Sequence, residues 1–467
     1  MADFVRDDAG PSTRPGNGAL ITPLIAGTAS APGDTLMSMD ASPVTGLILS
    51  GGGARAAYQV GVLKAVARIR RDCNGPTGNP FDVITGTSAG AINAATLACR
   101  ADNFDEALAT LVDTWSHFSV DQVYRSDSFG VVQTGARWLT MLSIGWVLAK
   151  WRHARPRSFL DNSPLRELLT KLVPVERLQG VMSQGHLKAL AVSASGYGSG
   201  LHVTFYDDLV GVPPWNRSQR IAMRQAITIE HLMASSAIPF VFPAVALGPE
   251  GGREFFGDGS MRQSAPISPA VHLGAERILV IGAGRLHEPL VPSGSRAGSG
   301  EYPNLAQIAG HALSSIFLDA LAVDIERLQR INKTLSLLPP EARGRSELRP
   351  IDVLVIAPSQ RLDDIAARHL QSLPPLIRAL LRGVGVSGQG AQARGSALAS
   401  YLLFEAPFTC ELLALGEADT LSRSDEVARF FGWDRRGKPR SDVPADAECD
   451  ASGVMQGNFF STQKSAH

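Results

Sequence analysis

The segment Gly86-Thr87-Ser88-Ala89-Gly90 has the spacing of a nucleophile elbow. In such an elbow a serine sits on a strained turn between a strand and a helix, and small flanking residues let the turn close. A helix opening at Ala89 aims the positive end of its dipole at the hydroxyl, where negative charge develops when an acyl carbonyl is attacked. The same letters also occur in plain Gly-rich turns, so context decides: an apolar run precedes Ser88 and small residues follow it. A serine hydroxyl is too weakly acidic to attack an ester unaided and needs a base. Asp258, in Phe255-Phe256-Gly257-Asp258-Gly259-Ser260, is a carboxylate closing an apolar run. Alone, Asp-Gly is a common turn dipeptide; it gains interest as a partner for Ser88.

Gly51-Gly52-Gly53-Ala54-Arg55 follows one apolar run and opens a helical pattern. Consecutive glycines free backbone amides to approach a phosphate or a tetrahedral oxyanion. The competing reading is a dinucleotide-binding turn, since Gly51, Gly53 and Ala56 match the looser fingerprint. That reading needs an acidic residue ending a strand about 20 residues on. Asp72 has no apolar run before it, and the next strand delivers Ser88, which favours the oxyanion role. A rival triad would use His287, because Ser88, Asp258 and His287 stand in α/β-hydrolase order. Only one clear strand precedes the elbow, however, where that fold needs several. For His287 and the rest of the ten histidines the plain reading is a satisfied surface side chain.

Positioning these residues requires strands that deliver them and helices that follow. Residues 44–50 and 80–85 read as buried parallel strands. Residues 54–70 and 91–99 read as helices. Further strands are expected at 187–194, 201–206, 254–256, 277–282 and 351–356, and helices at 229–236, 305–332 and 396–415. Strand, tight turn and helix, twice over, is an α/β signature. The expected fold is therefore α/β, with a mainly parallel central sheet, helices on both faces and the elbow between a strand and a helix. Residues 1–43 are expected to be a disordered tail, 44–434 the catalytic domain and 435–467 a polar tail, with a Ser/Gly/Pro-rich surface loop at 287–302.

Four ordered blocks between residues 47 and 260 resemble the patatin-like phospholipases. They are Gly51–Arg55 with Gly61-Val62-Leu63, residues 81–93 around Ser88, residues 234–243, and Asp258-Gly259. The resemblance implies a Ser–Asp dyad without histidine: Ser88 attacks, Asp258 takes its proton, and the amides of Gly51, Gly52 and Gly53 bind the oxyanion. Arg55 would brace the loop or steer a phosphate headgroup, with Gly86, Gly90 and Gly259 in support. Ala56 stands where the family usually has Gly and would crowd the loop; Ser260 stands where it has Gly or Ala. The activity implied is hydrolysis of lipid carboxylic esters, of phospholipase A or lysophospholipase type, with no metal or organic cofactor. A catalytically idle lipid-binding or scaffolding protein is the alternative from another class.

Bulk properties bound the partners. Lys plus Arg (44) equals Asp plus Glu (44) among 467 residues, so the clustered positive charge of a nucleic-acid binder is missing. Cys73, Cys99, Cys410 and Cys449 lack metal-site spacing and read as free thiols. The N-terminus lacks the charged and apolar regions of a secretory signal. No run reaches the roughly 18–20 apolar residues of a spanning helix. A cytoplasmic protein with peripheral membrane contact is expected, its partner being lipid at a membrane surface. Trp138, Trp146 and Trp151, half of the chain's six tryptophans, lie in an apolar stretch flanked by Lys150 and Arg152. Such a stretch suits a headgroup region or lid, and equally a buried core helix.

Overall fold

Buried runs build strands β1 (Thr45–Leu49), β2 (Val83–Thr87), β3 (Ala189–Gly196) and β4 (His202–Asp208). The short β5 (Asn216–Arg217), β6 (Arg220–Arg224), β7 (Val245–Leu247) and β8 (Glu254–Asp258) follow, then β9 (Arg277–Ile281) and β10 (Asp352–Ile356). The computed structural model describes residues 43–125, 158–248, 252–285, 302–346, 348–388 and 394–433. The expected tails, the Trp138–Trp151 stretch, the 287–302 loop apart from Tyr302, and His287 lie outside the described residues.

The strands form one sheet in the order β10-β9-β1-β2-β3-β4-β6-β5, with β8 bridging β3 and β7. From β10 to β3 every pairing is parallel; β3 pairs antiparallel with β4 and with β8. Side chains alternate between the faces, as a period of two requires. Leu47, Leu49, Ile84, Leu190, Val192, Leu279 and Ile281 enter the large core. Ile48, Ile278 and Val280 pack oppositely with Ile267, Leu321 and Ile325. Both faces are buried, which is why these strands read as continuous apolar runs.

One helical expectation changes. Residues 396–415 form not one helix but two, Ser396–Leu402 and Ala406–Ser422, bent by 94°. Pro407 sits in the first turn of the second, where its missing N–H costs nothing, whereas inside one continuous helix its ring would clash with the carbonyl four residues back. Leu305–Leu337, by contrast, is a continuous helical run of 33 residues, long and apolar enough to cross a bilayer by length and composition alone. The sequence itself holds no uninterrupted apolar run of that length here, because polar residues such as Asp319 and Asp324 interrupt it without ending the helix. Ala306, Phe317, Leu321, Ile325 and Leu335 of this run are buried in the domain. Midway, Ser315–Asp319 is a π-helical turn, a local widening that often marks functional regions.

Candidate active site

Strand β3 is the ruler of the site. Thr87, the last residue of β2, pairs with Ser193, and Asp258, the last residue of β8, pairs with Ala194. Because β4 occupies the other edge of β3 over these residues, β2 and β8 share one edge and run toward each other. They stop against adjacent residues of β3. The register thereby brings together two residues 170 positions apart: Ser88 Oγ donates to Asp258 Oδ2 at 2.6 Å.

Ser88 has φ 56° and ψ −132° and caps the helix Ala89–Ala98. A side-chain-bearing residue rarely adopts such backbone, and it persists only where the surroundings over-determine it. They do so here. Ser88 N donates to Ser235 Oγ at 2.8 Å, and Ser235 Oγ donates to Ser193 O at 2.6 Å. A Cβ on Gly90 would lie 2.3 Å from Leu49 O, and one on Gly86 would lie 2.6 Å from Gly90 O. The turn therefore closes against β1 only with glycine at both places.

Ser88 and Asp258 are each 1% exposed. Burial pushes the Asp258 carboxyl up from 3.8 to about 6, against the hydrogen bonds from Ser88 and Ser260 that favour its charged form. The Ser260 amide donates to Asp258 Oδ1 at 2.9 Å, leaving Oδ2 facing the serine. Behind this turn lies His202, buried and hydrogen-bonded to the Gly259 backbone. Desolvation first, then Arg220, lowers its pKa to about 4. Among the described residues no histidine shares a hydrogen bond with Ser88 or Asp258.

The glycine loop runs from β1 into a 3-10 turn, Gly53–Ala56, and the helix Ala57–Asp72. Gly53 has φ +56°, and a Cβ there would lie 2.3 Å from Tyr401 O. It lines an apolar cavity of about 30 Å³ with Ser88, Ile92, Trp115, Leu168, Ile238 and Phe242. Gly51 lies under Ser260 Oγ and the Phe317 ring, and Gly52 against Ala283. Arg55 is buried rather than directed into that cavity: Nε donates to Ser400 Oγ at 2.8 Å, Nη2 pairs with Asp363, and the guanidinium lies 3.8 Å from the Tyr401 ring centre. Ala56 is fully buried, and its carbonyl accepts from Asn93 Nδ2 at 3.2 Å. Phe317 and Tyr401 had no signal in residue type or spacing, and Ser235 was noted only as part of the block 234–243; each owes its place to tertiary packing.

The model of the family described as patatin-like phospholipase matches residues 47–271, a span that holds the glycine loop, Ser88, Ser235 and Asp258. Residues 47–271 belong to the patatin-like phospholipase family. A curated relative, lysophospholipase nte1 of Aspergillus terreus, is 49% identical over 57 residues, which is 12% of this chain and 3% of that protein. Among solved structures, human GIVD cytosolic phospholipase A2 overlays with TM-score 0.39 at 12% identity, covering 84% of this chain and 60% of that one. VipD from Legionella pneumophila gives TM-score 0.23 at 13% identity, covering 80% and 67%. The chain thus spans less than two thirds of the first of these in each comparison. With scores this low, the fold is described from the sheet order and register of the chain itself.

Proposed function

We propose that this patatin-like domain is a serine lipid acyl hydrolase that cleaves carboxylic esters of phospholipids or lysophospholipids through an acyl-enzyme. The observation that carries the reading is the 2.6 Å hydrogen bond from Ser88 Oγ to Asp258 Oδ2, made at a strained elbow beside an apolar cavity. As Oγ attacks the acyl carbon, its proton passes to the Asp258 carboxylate. The carbonyl oxygen takes the negative charge, facing the amides of Gly51, Gly52 and Gly53 and the N-terminal end of helix Ala89–Ala98. When the tetrahedral intermediate collapses, the C–O bond of the leaving alcohol breaks and Asp258 returns the proton to that alkoxide. Water then attacks the acyl-Ser88 ester, Asp258 takes the water's proton, and the free acid leaves as Ser88 is reprotonated. A carboxyl near 6 is ionised at neutral pH, yet is a stronger base than an ordinary aspartate, as general-base catalysis requires.

The test is turnover of a soluble p-nitrophenyl ester together with fluorophosphonate labelling. Ser88→Ala and Asp258→Asn should each lower kcat by roughly 10³-fold or more, with labelling lost in Ser88→Ala and His287→Ala unimpaired. A dead His287→Ala would instead favour the triad. A wild type that neither turns over nor labels, with or without lipid, would favour the idle lipid binder.

A further inference from the structure

Phe240 combines two features that are each uncommon. Its backbone is left-handed, with φ +65°, a region that disfavours bulky side chains. Its ring is 75% exposed. Strained backbone persists where structure over-determines it and clusters at working sites, yet here the strain holds a large apolar ring in water. The surrounding contacts fix the arrangement. Phe159 N donates to Phe240 O at 2.8 Å, Leu160 N to Val241 O at 2.9 Å, and Phe242 N to Ile238 O at 2.9 Å.

The same loop is continuous with the Ser88 site. Asp258 N donates to Ala237 O at 2.9 Å. Ile238 and Phe242, two residues before and after Phe240, turn inward and are walls of the cavity beside Ser88. Phe159, bonded to Phe240 through the backbone, is also exposed, as are Phe255 and Tyr197 on the segments that deliver Asp258. The cavity itself, about 30 Å³, has room for water but not for an acyl chain, so the walls must part before an ester carbonyl can reach Ser88.

We propose that residues 237–242 are an interfacial anchor and gate, in which Phe240 enters the acyl boundary of a phospholipid surface and Ile238 and Phe242 shift with it to admit the substrate chain. The occupant is a lipid layer rather than a protein groove. The walls that carry the exposed ring are those a fatty acyl chain must pass, and aromatic rings partition to the headgroup boundary. The inference rests on the lipid-hydrolase reading above, and its test separates the two.

The experiment uses the full chain with phosphatidylcholine vesicles and, in parallel, a soluble p-nitrophenyl ester. Phe240→Ser should weaken vesicle co-sedimentation and vesicle hydrolysis by about tenfold, the scale of one exposed aromatic ring losing its apolar environment. Its turnover of the soluble ester should stay within about twofold of wild type, and Phe240→Trp should retain vesicle binding. Equal losses on vesicles and on the soluble ester would make the loop part of the catalytic frame and overturn the anchor. So would unchanged vesicle binding in Phe240→Ser, or a wild type that does not sediment with vesicles. A wild type inert on the soluble ester even with vesicles present would count against the Ser88 chemistry alone, leaving co-sedimentation to decide the anchor.

Discussion

At the residue scale, the buried carboxyl of Asp258 sets both a pH profile and a stability cost. Its folded-state pKa of about 6 lies above the ordinary 3.8. The protonated form therefore favours folding, fully below about pH 4, and that contribution is lost as pH rises through 6. The proposed catalysis has the opposite need, because in it only the carboxylate can accept the Ser88 proton. We expect kcat/KM to fall about tenfold per pH unit below 6 and to level off above 7. Asp258→Asn should be inactive at every pH. Thermal melts should show it more stable than wild type at pH 8, by up to about 3 kcal/mol, with the gain gone at pH 4. A variant no more stable at pH 8 than at pH 4 would mean that Asp258 is not strained by burial.

Ser88, Asp258 and the glycine loop were legible in the sequence because their types are tied to chemistry and to turns. Their meeting was expected only through the family resemblance, and no local pattern could show it. It depends on β2 and β8 converging on one edge of β3, with Ser193 and Ala194 as neighbours, and register between distant strands leaves no local pattern. Ser235 lay within the block 234–243 that resembles the family, but its own role had no local mark: only tertiary packing places it, and not Ser236, between Ser88 N and Ser193 O.

At the element scale, the elbow is a joint between β2 and helix Ala89–Ala98 locked by one side chain from the helix Ile229–Ser235. Ser235→Ala leaves Ser88 N and Ser193 O without that hydroxyl in a buried site. The expected cost is about 1–3 kcal/mol, read as a fall in denaturation midpoint. Activity should fall further than stability explains, since φ 56° at Ser88 would lose a restraint. Ser235→Thr, which keeps the hydroxyl, should recover part of both. If Ser235→Ala lowers neither midpoint nor kcat, the strained turn is held by the glycine contacts alone. Local patterns served well for elements whose burial is uniform, such as β1, β2, β9 and β10. They failed where a bend or an antiparallel edge intervenes: the break before Ala406, and β6 and β7, whose mixed burial hides their period.

At the scale of the whole molecule, the matched family span ends at residue 271, but the frame of the site does not. The free edge of β1 is closed by β9, and β9 by β10. Gly53 rests on Tyr401, and Gly51 meets Phe317. Arg55, 3% exposed, is paired with Asp363 and bonded to Ser400. The glycine loop is thus held from behind by chain that lies after the matched family segment. Asp363→Asn tests this without removing an element. It keeps the shape but withdraws the charge opposite a buried guanidinium, a change that costs up to about 3–5 kcal/mol when both partners are fully buried. Asp363 is 19% exposed, so solvent screens part of the charge, and about 1–2 kcal/mol is the fitting expectation. The outcome should be a melting temperature lower by a few degrees. The value of kcat on a soluble ester should also be lower while KM is little changed, because the glycine loop would move relative to Ser88 but the apolar cavity would not. If the melting temperature falls and kcat holds, Arg55 supports the fold alone and the oxyanion amides are positioned by Tyr401 and Phe317 without it.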